Sequence, residues 1–229
     1  MTVQENYTAI QNEISAASKK GGFSLQPHVI AVTKYVTIER ANEAYNAGIK
    51  HFGENRLEGF LAKKEALPDD CIFHFIGSLQ TRKVKEVINE VDYFHALDRL
   101  KLANEINKRA QHKIKCFIQV NVSGEESKHG IKLDEVNDFI NTLQDYENIE
   151  VVGLMTMAPY TDDEDYIKDL FQALKEKQIE IHELNLKHAP CSELSMGMSN
   201  DFQLATEVGA TFVRIGTKLV GKEEWAPWL

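Results

Sequence analysis

Short apolar runs recur along the chain, and each is followed by a segment with helical spacing. The runs fall at 28–33, 51–54, 73–77, 93–97, 116–122, 151–157, 194–197 and 211–215. Helical patterns follow at 38–47, 57–66, 80–90, 99–111, 132–145, 162–179, 200–208 and, weakly, after 217. Runs this short and this rich in β-branched and aromatic residues read as buried strands. Ahead of them, Tyr7, Ile10 and Ile14 recur at helical spacing within 3–19, which predicts an extra N-terminal helix. Eight strand-then-helix units predict a parallel sheet closed into one (β/α)8 barrel, a single domain over 1–229. A doubly wound sheet would hold about six strands and a glycine-rich first turn. The first turn here, Lys34-Tyr35-Val36-Thr37, contains no glycine. Thr161 and Glu164 have capping-box spacing, and the acidic run 162–165 suits a first helical turn, so the seventh helix is expected to start there.

Composition narrows the function classes. An apolar fraction of 43% is enough for a full core. A net charge of −9 argues against nucleic acid and anionic membrane as partners. Cys71, Cys116 and Cys191 have no short spacing, so neither a disulfide framework nor a zinc ribbon is expected, and a reducing compartment fits. The first twenty residues hold no apolar core of signal-peptide length, and no run of 18 apolar residues occurs. A soluble, cytoplasmic protein is the expectation.

Barrels of this kind carry their chemistry at the C-terminal strand ends. Lys34 closes the run Val29-Ile30-Ala31-Val32-Thr33 and so lies at such an end. An amine partly desolvated at a pocket mouth is biased toward its neutral, nucleophilic form and can attack an aldehyde. The plainer alternative is a strand-end lysine whose head reaches water. Two glycine segments shift that balance. Ser195-Met196-Gly197-Met198-Ser199 leads from the seventh strand into a helix, with Ser199 as the expected N-cap. Arg214-Ile215-Gly216-Thr217 ends the eighth strand; the glycine admits close approach of backbone to a ligand, and Thr217 adds a hydroxyl. Loops after strands seven and eight are the usual phosphate site of this fold, and backbone amides at a helix start suit a dianion. A phosphate opposite a reactive lysine points to pyridoxal 5′-phosphate (PLP), held covalently by Lys34, with Arg214 near the ring nitrogen. A guanidinium cannot accept a proton, so the ring nitrogen would stay unprotonated and the ring would be a weak electron sink. The alternative for Arg214 is an interior ion pair with a carboxylate such as Glu54. His51, His74 and His95 lie on neighbouring strands, but the first two are expected at strand starts, at the bottom of the barrel. No H-x-H or H-E-x-x-H spacing occurs, and no metal is expected.

Seven segments then carry a resemblance: AVTK (31–34), HFGEN (51–55), HFIGSLQ (74–80), QVNVSGEESKHG (119–130), GLMTM (153–157), LSMGMSNDF (194–202) and VRIGT (213–217). In this order, over almost the whole chain, they resemble the pyridoxal-phosphate homeostasis protein family. The resemblance implies the fold of the N-terminal barrel of alanine racemase and PLP covalently on Lys34. It also implies phosphate contacts from Ser199, Gly216 and Thr217, Arg214 near the ring nitrogen, and Asn55 beside the cofactor. The implied role is to hold PLP and release it to apo forms of PLP-dependent enzymes, without robust turnover, as a monomer or weak dimer. The alternative is a small single-domain racemase. Alanine racemase takes its second base, a tyrosine, from a further β-rich domain, whereas only residues 218–229 follow Thr217 here. Tyr35 and Tyr160 are the candidate substitutes. Two departures stand out: Thr81-Arg82-Lys83 where the family commonly reads x-Asn-Lys, and a longer stretch at 181–193.

Overall fold

Eight parallel strands close on one another in the computed structural model, which describes residues 1–126 and 128–223. Ser127, inside the segment 119–130, and residues 224–229 lie outside the described residues. The chain runs α1 (Val3–Gly21), β1 (His28–Val32), α2 (Ile38–Asn46), β2 (His51–Glu54), α3 (Leu57–Ala66), β3 (Ile72–Phe75), α4 (Val84–Val87), β4 (Tyr93–Leu97) and α5 (Leu100–Arg109). It continues through β5 (Ile114–Asn121), β6 (Ile131–Lys132), α6 (Val136–Thr142), β7 (Ile149–Met155), α7 (Glu164–Glu183), β8 (Glu193–Ser195), α8 (Phe202–Val208), β9 (Phe212–Ile215) and α9 (Thr217–Val220). The order around the barrel is β4-β3-β2-β1-β9-β8-β7-β5, and pairing of β4 with β5 closes it. Each barrel strand follows the sequence expectation to within two residues at its start. The short β6 was not foreseen; it pairs with the end of β5 beside the barrel.

Alternation divides the strand residues between two cores. Ile30, Phe117, Val152, Met155 and Phe212 meet inside the barrel with Tyr93 against them. The opposite faces, such as Val29 and Ala31 of β1, pack beneath the helices. Helix α1 is started by a capping box between Thr2 and Glu5. It buries Val3, Ile10, Ile14 and Ala17, and Asn6 Nδ2 donates to the Leu219 carbonyl at 2.9 Å, tying the first helix to the last.

Helix starts depart from expectation in two places. Asp163 caps α7, its side chain accepting from the Tyr166 amide at 3.0 Å, while the Thr161 hydroxyl accepts from the Asp163 amide instead. A carboxylate is the stronger acceptor for an exposed first-turn amide, and it moves the start two residues on. Likewise α8 begins after Asp201, not at Ser199. Its reason is local: the Asp201 carboxylate folds back to the Met198 amide at 2.7 Å and holds 198–201 as a turn. The patterns at 80–90 and 132–145 are each interrupted by 3-10 turns.

Phe117 packs edge-on against Phe212, with ring centroids 5.9 Å apart, and stacks on His95 at 4.3 Å. Phe117→Ala should therefore open a cavity inside the closed barrel and cost about 3–5 kcal/mol of stability, measurable by urea unfolding. A loss below about 1 kcal/mol would show that the barrel interior is not packed around this ring.

Candidate functional site

Strands β2, β1, β9 and β8 are consecutive neighbours, so their C-terminal ends form one arc. That arc carries Asn55, Lys34, then Arg214, Gly216 and Thr217, then Ser199. Register does the alignment: Ile30 pairs with Arg214 and Ala31 with Ile215, while Val32 pairs with Gly53 on the other side. The six residues singled out from the sequence thus fall on four adjoining strand ends.

Lys34 lies two residues beyond β1, half-buried, with Nζ 4.9 Å from the centre of the Tyr35 ring. Its backbone is anchored by a buried ion pair. Lys63 Nζ from α3 donates to Glu54 Oε1 at 2.6 Å and also to the Thr33 carbonyl, and the Thr33 hydroxyl donates to the same carboxylate at 2.9 Å. Both Lys63 and Glu54 are buried. Burial pushes the Glu54 carboxyl upward, and the Lys63 charge and hydrogen bond, the Thr33 hydroxyl and the Lys34 charge oppose it. The strand end that presents Lys34 is thereby fixed from behind.

Asn55 follows Glu54 directly. Its Oδ1 is buried and has no hydrogen-bond partner among the described residues. A buried acceptor left unmade costs about 1–3 kcal/mol, so it is a place where a ligand donor belongs. Gly77 makes the room: a Cβ there would lie 2.7 Å from Asn55 Cβ.

At the β8 exit, Gly197 has φ +101° and a Cβ there would lie 2.7 Å from Ala205 Cβ, so both backbone and packing require glycine. The chain then turns through half-buried Ser199, whose hydroxyl makes no hydrogen bond among the described residues. Burial raises the Asp201 carboxyl, opposed by the Met198 amide and by the Arg214 charge. At the β9 exit, a Cβ on Gly216 would meet nothing closer than 3.6 Å. Protein packing does not require glycine here, so the backbone is left bare; in α9 the Leu219 and Val220 amides donate to the Gly216 carbonyl, and the first helical amides, Thr217 and Lys218, have no intrahelical acceptor. Thr217 is exposed.

Arg214 points into the barrel and is buried. Its Nη1 donates to Ser195 Oγ and its Nη2 to the Thr156 carbonyl at 2.9 Å. Burial lowers its pKa to about 10, with Asp201 opposing. The alternative pairing with Glu54 does not form, because Lys63 occupies that carboxylate. Behind Ser195 stand His95, His74 and His51, each about 2.8–2.9 Å from the next. His74 is the third residue of β3, inside the barrel, and not at the strand start expected for it. Burial lowers the His51 pKa to about 4 and holds His74 and His95 well below the ordinary histidine value. Among the described residues, no three His, Cys, Asp or Glu side chains could surround a metal ion.

Cavities of about 330 and 720 Å³ open at the C-terminal end of the barrel, the first lined by Met198 and the second by Asn55, and a third of about 630 Å³ runs from Met198 along α8 to Glu207 and Lys20. Tyr160 is 91% exposed, while Tyr35 is at 46% and adjacent to Lys34. The loop Thr81–Lys83 places Arg82 on the cavity that Asn55 lines. Sequence reasoning missed Lys63, and it assigned no role to Ser195 or Thr156. Lys63 left a trace, a lysine three residues after Phe60 on the apolar face of a helix.

The sequence profile described as "Alanine racemase, N-terminal domain" matches residues 4–224. A pyridoxal phosphate homeostasis protein from Aquifex aeolicus is 39% identical over 233 residues, covering 98% of this chain and all of the relative. The structure of PipY from Synechococcus elongatus, solved with PLP bound, superposes with a TM-score of 0.83 at 28% identity, covering 96% of this chain and 100% of that one. Alanine racemase from Corynebacterium glutamicum shares the fold, at 16% identity and a TM-score of 0.71, with 97% of this chain matching 63% of that one.

Two outcomes follow from the buried charges. Lys63→Met should cost about 3–5 kcal/mol by leaving Glu54 buried without its cation, and adding Glu54→Gln should recover much of that loss; equal melting of Lys63→Met and wild type would dismiss the clamp. The histidines titrate lower in the folded chain than in the unfolded one. Their contribution to stability is therefore present above the unfolded value of about 6.5 and is lost as pH falls toward about 4, the folded value of His51. Urea midpoints between pH 7 and pH 4 should fall steadily, and less so in His51→Phe.

Proposed function

The chain belongs to the family of pyridoxal phosphate homeostasis proteins, built on the alanine racemase N-terminal domain, and from that premise we propose that it binds PLP at the β2-β1-β9-β8 arc. The carrying observation is the convergence of Lys34, the unpaired Asn55 oxygen, Arg214 and the open backbone at Gly216 on four adjoining strand ends. PLP supplies an aldehyde that condenses with an amine and a ring that can withdraw electrons. Lys34 would hold it covalently. Ser199, Gly216 and Thr217 would take the phosphate through hydroxyls and backbone amides. Asn55 Oδ1 would accept a donor that the protein itself does not provide. Arg214 would stand at the ring nitrogen, where a guanidinium donates and cannot accept, so the ring stays a poor electron sink.

Such a site suits holding PLP more than driving carbanion chemistry. The proposed role is to keep the reactive aldehyde bound and release it to apo-enzymes that use PLP. A second reading, a small racemase, has one observation in its favour: Tyr35 lies beside the Lys34 amine.

The purified protein, given PLP, should develop an absorbance band that borohydride bleaches, with the reduced label recovered on the peptide containing Lys34. Lys34→Ala should lose it. Replacing both Ser199 and Thr217 by alanine should weaken PLP binding by about 1–3 kcal/mol per hydroxyl. A protein that stays colourless with excess PLP would overturn the reading. Steady racemisation of any amino acid in a panel, lost in Lys34→Ala and reduced in Tyr35→Phe, would promote the racemase.

A further inference from the structure

Behind Arg214 the barrel interior holds a row of polar side chains that the proposed PLP contacts do not use. It runs from Arg214 Nη1 to Ser195 Oγ, from Ser195 Oγ to His95 Nδ1 at 2.9 Å, from His95 Nε2 to His74 Nδ1 at 2.8 Å, and from His74 Nε2 to His51 Nδ1 at 2.8 Å. His51 lines a cavity of about 230 Å³ at the opposite, N-terminal end of the barrel, beside His28 and Lys50. Ser195, His74 and His95 are fully buried.

We propose that Arg214, acting through Ser195, sets the ring tautomers of His95, His74 and His51, and that Ser195, His95 and His74 are positioning residues that hold the guanidinium in place. The direction of every bond follows from one fact. A guanidinium only donates, so Ser195 Oγ accepts from Arg214. Among the described residues the hydroxyl's other partner is His95 Nδ1. Had that nitrogen carried a proton, the serine proton would have no acceptor in a buried site, which natural structures avoid. Ser195 therefore donates to His95 Nδ1. A neutral imidazole carries one proton, so that of His95 lies on Nε2 and is given to His74 Nδ1. The same step repeats to His51, whose own proton then lies on Nε2. Burial keeps the three rings neutral. Stacking fixes their planes: His74 lies on Tyr93 at 4.6 Å with 7° between rings, and His95 on Phe117 at 4.3 Å. The result is a chain of dipoles all oriented away from Arg214, each bond strengthening the next. The tautomer order needs no ligand; only its consequence, aiming Arg214 at a ring nitrogen, rests on the PLP reading.

The test is ¹⁵N NMR of the full chain with labelled histidine at neutral pH, with and without added PLP, signals being assigned by single replacements. His51, His74 and His95 should each be neutral with the proton on Nε2 in both samples. Ser195→Ala should release His95 from that single tautomer and shift the visible band of the PLP-loaded protein, and Ser195→Thr, which keeps the hydroxyl, should restore both. An Nδ1-protonated or cationic His95 or His74 in wild type would overturn the proposal. So would a folded Ser195→Ala with His95 unchanged, or a Ser195→Thr that restores neither. If Ser195→Ala does not fold, the wild-type tautomers decide alone. A wild type without any PLP band, but with the expected tautomers, would reject the cofactor reading and leave this one standing.

Discussion

A guanidinium that cannot give up its proton sits inside a closed barrel, and the site is arranged around that necessity. A buried cation must be met by acceptors. The Thr156 carbonyl and the Ser195 hydroxyl meet Arg214 from β7 and β8, and Asp201 lowers the electrostatic cost from the turn beyond. Each of these partners lies on a strand or turn whose position is set by barrel closure. The charge thus ties the β8–β9 side of the barrel together at the height where the strands end.

On the other side a second buried charge does the equivalent work. Lys63 reaches from α3 to Glu54 and to the Thr33 carbonyl, so the ends of β1 and β2 are held by one ammonium group. Two buried cations therefore flank Lys34, one behind its own strand and one on the next. Neither is free to move without leaving an uncompensated partner in a low-dielectric interior. That rigidity holds the strand end from which the long, flexible Lys34 side chain extends.

Much of the fold was legible because it depends on local alternation. Apolar runs and helical spacings placed the eight barrel strands, and their count with the glycine-free first turn distinguished a barrel from an open sheet. The strand-end positions of the six candidate residues were legible from the same pattern. Helix starts at 161 and 199 were misjudged for a physical reason. Asp163 takes the Tyr166 amide while Thr161 accepts from the Asp163 amide, and the Asp201 carboxylate turns back to the Met198 amide, so each helix starts after the aspartate and not at the hydroxyl. The short β6 escaped because two residues of a ladder have no period to detect.

The amino-acid sequence determined the strand-helix repeat, the strand ends that carry Lys34, Asn55 and Gly216, and the absence of glycine in the first turn, since all of these are written in neighbouring positions. Only the tertiary structure decided who pairs with whom. Glu54 chose Lys63 over Arg214, and Arg214 chose Ser195 and Thr156. His51, His74 and His95, about twenty residues apart along the chain, became hydrogen-bonded neighbours. Those choices depend on register between strands and on which face closure turns inward, and a one-residue slip would reverse them.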